Sequence, residues 1–334
     1  MSTSQPTIKR PLLELRDLPY LFILPVLAVV SWVLPQRCWK GAAAMMVNAL
    51  FLGPSFLGRP LRDRIAATIK GRLPEVEPDV VARNYVSNKL LMQLQYFRSY
   101  RPGGWDCRCV LEGREHLDGA LSEGRGAILW ISPGSSSDLV VKRCFHEAGV
   151  SIAHLSALTH GYSASRIGVA TINAVNRHIE NRYLDERIML DRANSKRELS
   201  AILADRLSKN RILSITAVKN KGGSSLSVPV FDADVPIGAG ALALGHRIGA
   251  KVLPVFVICE SSGTYRIIVE PEISIDATAS REEAISGAIT DFSTRLQRFL
   301  LHHPADWYGW THIEPHGEFG TGRNWLWDWI HKAK

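Results

Sequence analysis

Residues 126–132 read Gly-Ala-Ile-Leu-Trp-Ile-Ser, and the next nine read Pro-Gly-Ser-Ser-Ser-Asp-Leu-Val-Val. An apolar run of this length predicts a strand covered on both faces. The small polar residues Pro133 to Asp138 then form a turn, and Leu139-Val140-Val141 opens a helix. Similar β-rich runs follow at Val150–Leu158, Arg211–Val218, Lys251–Cys259 and Tyr265–Ile275. Between them lie helix signatures. Ser195 with Glu198, and Ser280 with Glu283, have the spacing of a capping box ahead of apolar residues at helical intervals. The small-residue segment Gly238–Gly249 would let a helix press closely on a sheet. Strand alternating with helix predicts an α/β fold, with a mixed, largely parallel central sheet flanked by helices.

Working towards the amino terminus, Arg59 to Tyr100 reads as helix, broken near Pro74 and Pro78. Before it, Leu18 to Gln36 carries no charged residue. That run is just long enough for a membrane anchor helix, with Trp32 and Trp39 placed as at a lipid–water boundary. Pro19, Pro25 and Pro35 also allow a half-inserted helix. The expected organisation is a tail and anchor over residues 1–45, then one α/β domain over 46–334.

Of the 334 residues, 46% are hydrophobic and 22% charged, and the formal net charge is +8. Such a chain can bury a large core. A basic balance suits a membrane surface or a phosphorylated substrate. No arginine-rich tail or zinc-finger spacing accompanies it, so a nucleic-acid partner is not expected. Five scattered cysteines indicate no disulfide framework. His312, Glu314 and His316 sit beside Pro315 and Gly317, which disfavour a helix and with it a metal site. Trp325, Trp327 and Trp329 with Lys332 and Lys334 suit either a packed terminal helix or a membrane surface.

In a sheet of this kind, ligands gather beyond the carboxyl ends of the strands. The loop after the first core strand offers Ser135 and Ser136 as substrate contacts and Asp138 at the helix start, although an ordinary capped turn has the same letters. The loop after the second offers His160, a candidate for proton transfer, and Arg166, able to clamp a phosphate. The loop after the third holds Lys219 and Lys221 with two glycines, either a phosphate cradle or a solvated loop. No Gly-x-Ser-x-Gly elbow is present, which disfavours a serine hydrolase.

Several segments, in order, resemble the bacterial lipid A biosynthesis lauroyl/myristoyl acyltransferases and related lysophospholipid and mannoside acyltransferases. They are the apolar amino-terminal run, Val110 to Leu117, Gly124 to Ile131, Val230-Phe231, Gly238 to Phe256, and His303-Pro304-Ala305-Asp306-Trp307-Tyr308-Gly309-Trp310-Thr311-His312. The resemblance implies transfer of an acyl chain from a carrier-protein or CoA thioester to a hydroxyl of a lipid or glycolipid. It also implies a place at the cytoplasmic face of a bacterial inner membrane and no cofactor. The family's His-x-x-x-x-Asp/Glu motif falls on Pro133 and Asp138, so the acid is kept while the histidine is replaced. Two readings follow: an acyltransferase in which His160 supplies the base, or a non-catalytic relative that binds lipid or acyl chains.

Overall fold

The computed structural model describes residues 10–14, 17–52, 59–134, 136–158, 163–190, 193, 195–217, 225–260, 262–276, 278–311 and 313. Its centre is a seven-stranded sheet. The strands are β1 (Cys109–Glu112), β2 (Ala127–Ile131), β3 (Ile152–Ser156), β4 (Glu186–Met189), β5 (Ile212–Thr216), β8 (Lys251–Cys259) and β9 (Tyr265–Val269), in the order β1-β9-β8-β2-β5-β3-β4. Five neighbours from β8 to β4 are parallel, whereas β9 turns back antiparallel to β8 and β1 runs parallel to β9. A separate antiparallel hairpin joins β6 (Ser225–Val230) to β7 (Ala233–Gly238).

Every residue of β2 is buried because both faces are covered. On one face, Ile128 and Trp130 join Val228, Val230, Val235 and Ile237 of the hairpin and Phe292 of α11 (Arg281–His302). On the other, Leu129 and Ile131 pack with Leu139, Val140 and Phe145 of α6 (Leu139–Glu147). Fully burying one such side chain contributes about 1.5–3 kcal/mol. The strand is entered through Gly126, whose positive φ and close approach to the Arg211 carbonyl leave no room for a Cβ.

The capping box before α11 forms as expected. Ser280 Oγ accepts the Glu283 N–H at 3.3 Å, and the Ser280 N–H donates to Glu283 Oε2 at 3.1 Å. Ser280→Ala is expected to lower unfolding free energy by about 1 kcal/mol, measurable as a shifted urea midpoint at constant slope. Ser195 likewise accepts the Glu198 N–H ahead of α9 (Lys196–Ser208), at 3.1 Å. The small-residue segment becomes α10 (Gly240–Ile248), where a Cβ on Gly245 would strike the Val252 side chain.

The apolar amino-terminal run differs from the expected anchor. It forms a 16-residue helix, α1 (Leu18–Val33), and then turns extended at Leu34 before Pro35. At 1.5 Å per residue it reaches about 24 Å, short of the roughly 30 Å hydrocarbon core. Among the described residues, no helix is long and apolar enough to cross a membrane. Instead α1 is docked against α4 (Pro78–Arg98). Leu27 is buried, Trp32 Nε1 donates to the Phe97 carbonyl, and Arg98 and Arg101 donate to carbonyls at the end of α1. Leu21, Ile23, Val26, Val29, Trp32 and Val33 remain exposed. α2 (Trp39–Leu52) and α3 (Arg59–Ile69) continue the layer.

A buried ion network ties α6 to its neighbours. Glu180, at the end of α8 (Ile172–Glu180), takes the Tyr96 hydroxyl at 2.6 Å on Oε1. On Oε2 it meets Lys142 Nζ at 3.0 Å and Arg187 Nη2 at 2.6 Å. Lys142 approaches as an ion contact rather than along a directed hydrogen bond. The Lys142 and Glu180 side chains are each 1% exposed, and Arg187 is 9% exposed. The network joins α4, α6, α8 and β4, and α6 begins directly after the turn at the end of β2.

Candidate active site at the strand ends

Because β2, β3, β5 and β8 are parallel, their carboxyl ends share one edge of the sheet. The ends are knit together. The Ala217 N–H, just past β5, donates to the Ile131 carbonyl at 2.8 Å, and the Ser132 N–H donates to the Val255 carbonyl of β8 at 2.9 Å. The turn after β2 then meets a segment from the far end of the chain. Gly134 pairs as an antiparallel bridge with Trp307, and the Tyr308 N–H donates to the Pro133 carbonyl at 3.0 Å. A Cβ on Gly134 would clash with the Asp306 carbonyl oxygen, so only glycine lets the two backbones lie this close.

Inside the turn, Ser137 Oγ accepts the Gly134 N–H at 3.0 Å and donates to the Gly134 carbonyl at 2.9 Å. That hydroxyl holds the loop's shape. Ser136 is buried beside it. Asp138 is half-buried immediately before α6, and its carboxylate makes no capping bond to that helix. Arg166 is exposed as the first residue of α7 (Arg166–Ala170), beyond the end of β3, with its N–H donated to the Pro11 carbonyl. Thus Pro133, Ser136 and Asp138 stand together at the end of β2, next to the end of β5, while Arg166 follows a strand one place further along. Ser135, His160, Lys219, Lys221, His312, His316 and the terminal tryptophans lie outside the described residues.

Asp306 was not assigned a role from sequence. Its Oδ2 accepts the Cys259 N–H at 3.4 Å, and its Oδ1 accepts from Asn88 Nδ2 at 3.3 Å. Both contacts are long. Burial pushes the carboxyl up to about 7, and the Cys259 N–H offsets that only in part. The neighbouring Cys259 thiol is raised by burial and by the Asp306 charge. His303, three residues earlier, is lowered by burial and then by His302 and Arg266. Only the HPADW lettering marks this aspartate in the sequence, since its titration depends on tertiary packing.

Two further polar atoms at this edge, Ser132 Oγ and Trp307 Nε1, are buried without a hydrogen-bond partner among the described residues. Leaving a buried donor unpaired costs about 1–3 kcal/mol, so such atoms call for an explanation. A bound molecule's carbonyl or hydroxyl would meet that need. A cavity of about 300 Å³ lined by Arg114, Ser151 and Ile212 opens at the amino ends of β3 and β5, the wrong edge for this site. An apolar cleft of about 340 Å³ lies between α1, α4 and the start of α8, lined by Leu21, Leu24, Phe97 and Ile172.

The family model described as bacterial lipid A biosynthesis acyltransferase matches residues 67–313. The chain belongs to this family. The matched region runs from α3 through β9 and α11 to the Asp306–Tyr308 segment, and so contains the whole strand-end site. Among individual relatives, the phosphatidylinositol mannoside acyltransferase of Mycobacterium tuberculosis strain H37Rv is 26% identical over 207 residues, covering 60% of this chain and 58% of the relative. The enzyme of the same name from Mycolicibacterium smegmatis is 27% identical over 199 residues, 58% of each chain. The protein therefore spans a little over half the length of these relatives. The crystal structure of a 1-acyl-sn-glycerophosphate acyltransferase, PlsC, from Thermotoga maritima aligns over 85% of this chain and 98% of its own. Its TM-score is 0.33 at 14% identity.

Proposed function

We propose that this acyltransferase-family protein moves an acyl chain from a CoA or acyl-carrier-protein thioester to a hydroxyl of a lipid or glycolipid, working at a membrane surface. The observation that carries the reading is the strand-end edge itself. It lies wholly within the family match, carries Asp138 just before α6, and includes Ser132 Oγ and Trp307 Nε1, buried polar atoms without a hydrogen-bond partner among the described residues. The relatives named for phosphatidylinositol mannoside support a glycolipid acceptor. Arg166, Lys219 and Lys221 are proposed contacts for the phosphates of donor or acceptor, with Ser135 and Ser136 as polar contacts in the turn. A second reading, a non-catalytic lipid binder, is favoured by Pro133, which has no titratable group. Incubating the full-length protein with labelled palmitoyl-CoA and phosphatidylinositol mannoside separates the two. Formation of an acylated glycolipid supports the first, and stable binding without product supports the second.

Membrane contact is proposed through the exposed apolar side of α1 rather than through a spanning helix. Val26, Val29 and Val33 project from a helix whose other side is docked on α4. A helix lying in the interface buries such a face among the headgroups and acyl chains. The proposed location remains the cytoplasmic face of a bacterial inner membrane. Replacing Val26 and Val29 together with Glu is expected to weaken co-sedimentation with anionic phospholipid vesicles at least about tenfold. Undiminished vesicle binding would remove α1 from the contact.

A further inference from the structure

We propose that Asp306 takes the proton from the acceptor hydroxyl, acting at this strand end in place of the histidine that Pro133 replaces. The inference rests on the acyl-transfer reading and names the group that does its proton chemistry. Four observations bring Asp306 forward. Its backbone is fixed against the turn that would carry the missing base, through the Gly134–Trp307 bridge and the Tyr308-to-Pro133 hydrogen bond. The residue as a whole is half-buried rather than sealed in the core. Its two protein contacts are long, and among the described residues no cation lies within salt-bridge distance to hold it as an inert anion. Finally, Ser132 Oγ at the end of β2 and Trp307 Nε1 on the next residue along from Asp306 are buried polar atoms without a hydrogen-bond partner among the described residues.

The step balances without any further reagent. As the acceptor oxygen bonds to the thioester carbonyl carbon, its proton passes to the Asp306 carboxylate. The carbon–sulfur bond then breaks, and the departing thiolate takes the proton back. The products are an ester and a free thiol.

The groups facing Asp306 come from several elements. Cys259 is on β8, Asn88 on α4, and His303, whose carbonyl accepts the Asp306 N–H, is on its own segment. Lys89 is turned over the Tyr85 and Tyr308 rings, and Lys40 of α2 donates to the Glu260 carbonyl just past β8. Burial sets the carboxyl near neutrality. About half of it is then ionised at pH 7, and the competent carboxylate accumulates as pH rises through that value.

The test compares full-length wild type with Asp306→Asn, Asp306→Glu and His160→Ala, using palmitoyl-CoA and phosphatidylinositol mannoside from pH 5.5 to about pH 9. Asparagine keeps the shape and can still accept the Cys259 N–H. The folded-state carboxyl titrates higher than the unfolded one, so its stabilising contribution is lost as pH rises through about 7, and Asn removes that loss. Thermal unfolding at pH 8 should therefore show Asp306→Asn at least as stable as wild type. The expected kinetic result is a fall in kcat of at least about a hundredfold, little change in KM, and disappearance of the rise near pH 7. Asp306→Glu should keep part of the rate with a displaced rise. Unchanged turnover and profile in Asp306→Asn, or loss of the rise only in His160→Ala, would overturn the assignment and leave acyl transfer intact. No transfer by wild type at any pH would overturn both.

Discussion

Glu180→Ala is expected to lower the free energy of unfolding by about 3–5 kcal/mol, the largest loss for any single side chain considered. The reason is the imbalance it creates. Glu180 is the sole carboxylate among the described partners of Lys142 and Arg187, and the Tyr96 hydroxyl donates to it as well. Removing it strands two cations in a nearly dry interior. Arg187 keeps part of its hydration shell in protein form, through Asn181 at 2.6 Å and Ser156 at 3.0 Å. Among the described residues Lys142 has no comparable second anchor, so it bears most of the cost. Lys142→Met should be milder, since it removes a charge together with the need to pair it and fills a similar volume. Urea unfolding at constant slope measures both. A loss below about 1 kcal/mol in Glu180→Ala would mean that the network is hydrated in solution.

Pro133→His is expected to raise turnover about tenfold or more at pH 7.5 and, more tellingly, to weaken the dependence on Asp306. The substitution would create a His-x-x-x-x-Asp sequence ending at Asp138. The Pro133 carbonyl accepts from Tyr308 through the backbone, so that bond survives a change of side chain. If imidazole takes over the proton, Asp306→Asn should cost only a few-fold in the Pro133→His background, against at least about a hundredfold alone. Such strong non-additivity is expected when two groups serve one step. Additive losses would show that the new histidine does not reach the reacting hydroxyl. Asp138→Asn in the same background should erase the gain, because the acid would no longer orient the ring.

The sequence revealed the sheet where both faces are buried and hid it where they are not. The middles of β2 and β8 are continuous apolar runs and that of β5 is apolar but for Ser214, so each reads as a covered strand. β4 reads Glu-Arg-Ile-Met and lies at the sheet edge, where one side needs no apolar cover; its charges concealed it. The β6–β7 hairpin does alternate, with Leu226, Val228 and Val230 opposite Ile237, Val235 and Ala233, but Pro229 and Pro236 interrupt the pattern. α1 was misjudged because an apolar run does not say which side will be docked. Buried Leu27 against exposed Val26 and Val29 is decided by α4, far along the chain. At the strand end, the turn from Pro133 to Asp138 was legible as the link between β2 and α6. Asp306 was not, since its chemistry comes from burial and from neighbours on β8 and α4 rather than from the residues beside it.

The meeting of Gly134 with Trp307 joins points about half the chain's length apart. During synthesis, the turn after β2 leaves the ribosome long before the segment that must lie against it. The strands from β2 to β5 can pair in the interval, yet this edge stays unfinished until Trp307 and its neighbours arrive. A truncated or nascent product would thus keep much of its sheet while lacking the closed strand-end edge, so any chemistry proposed there would await the whole chain.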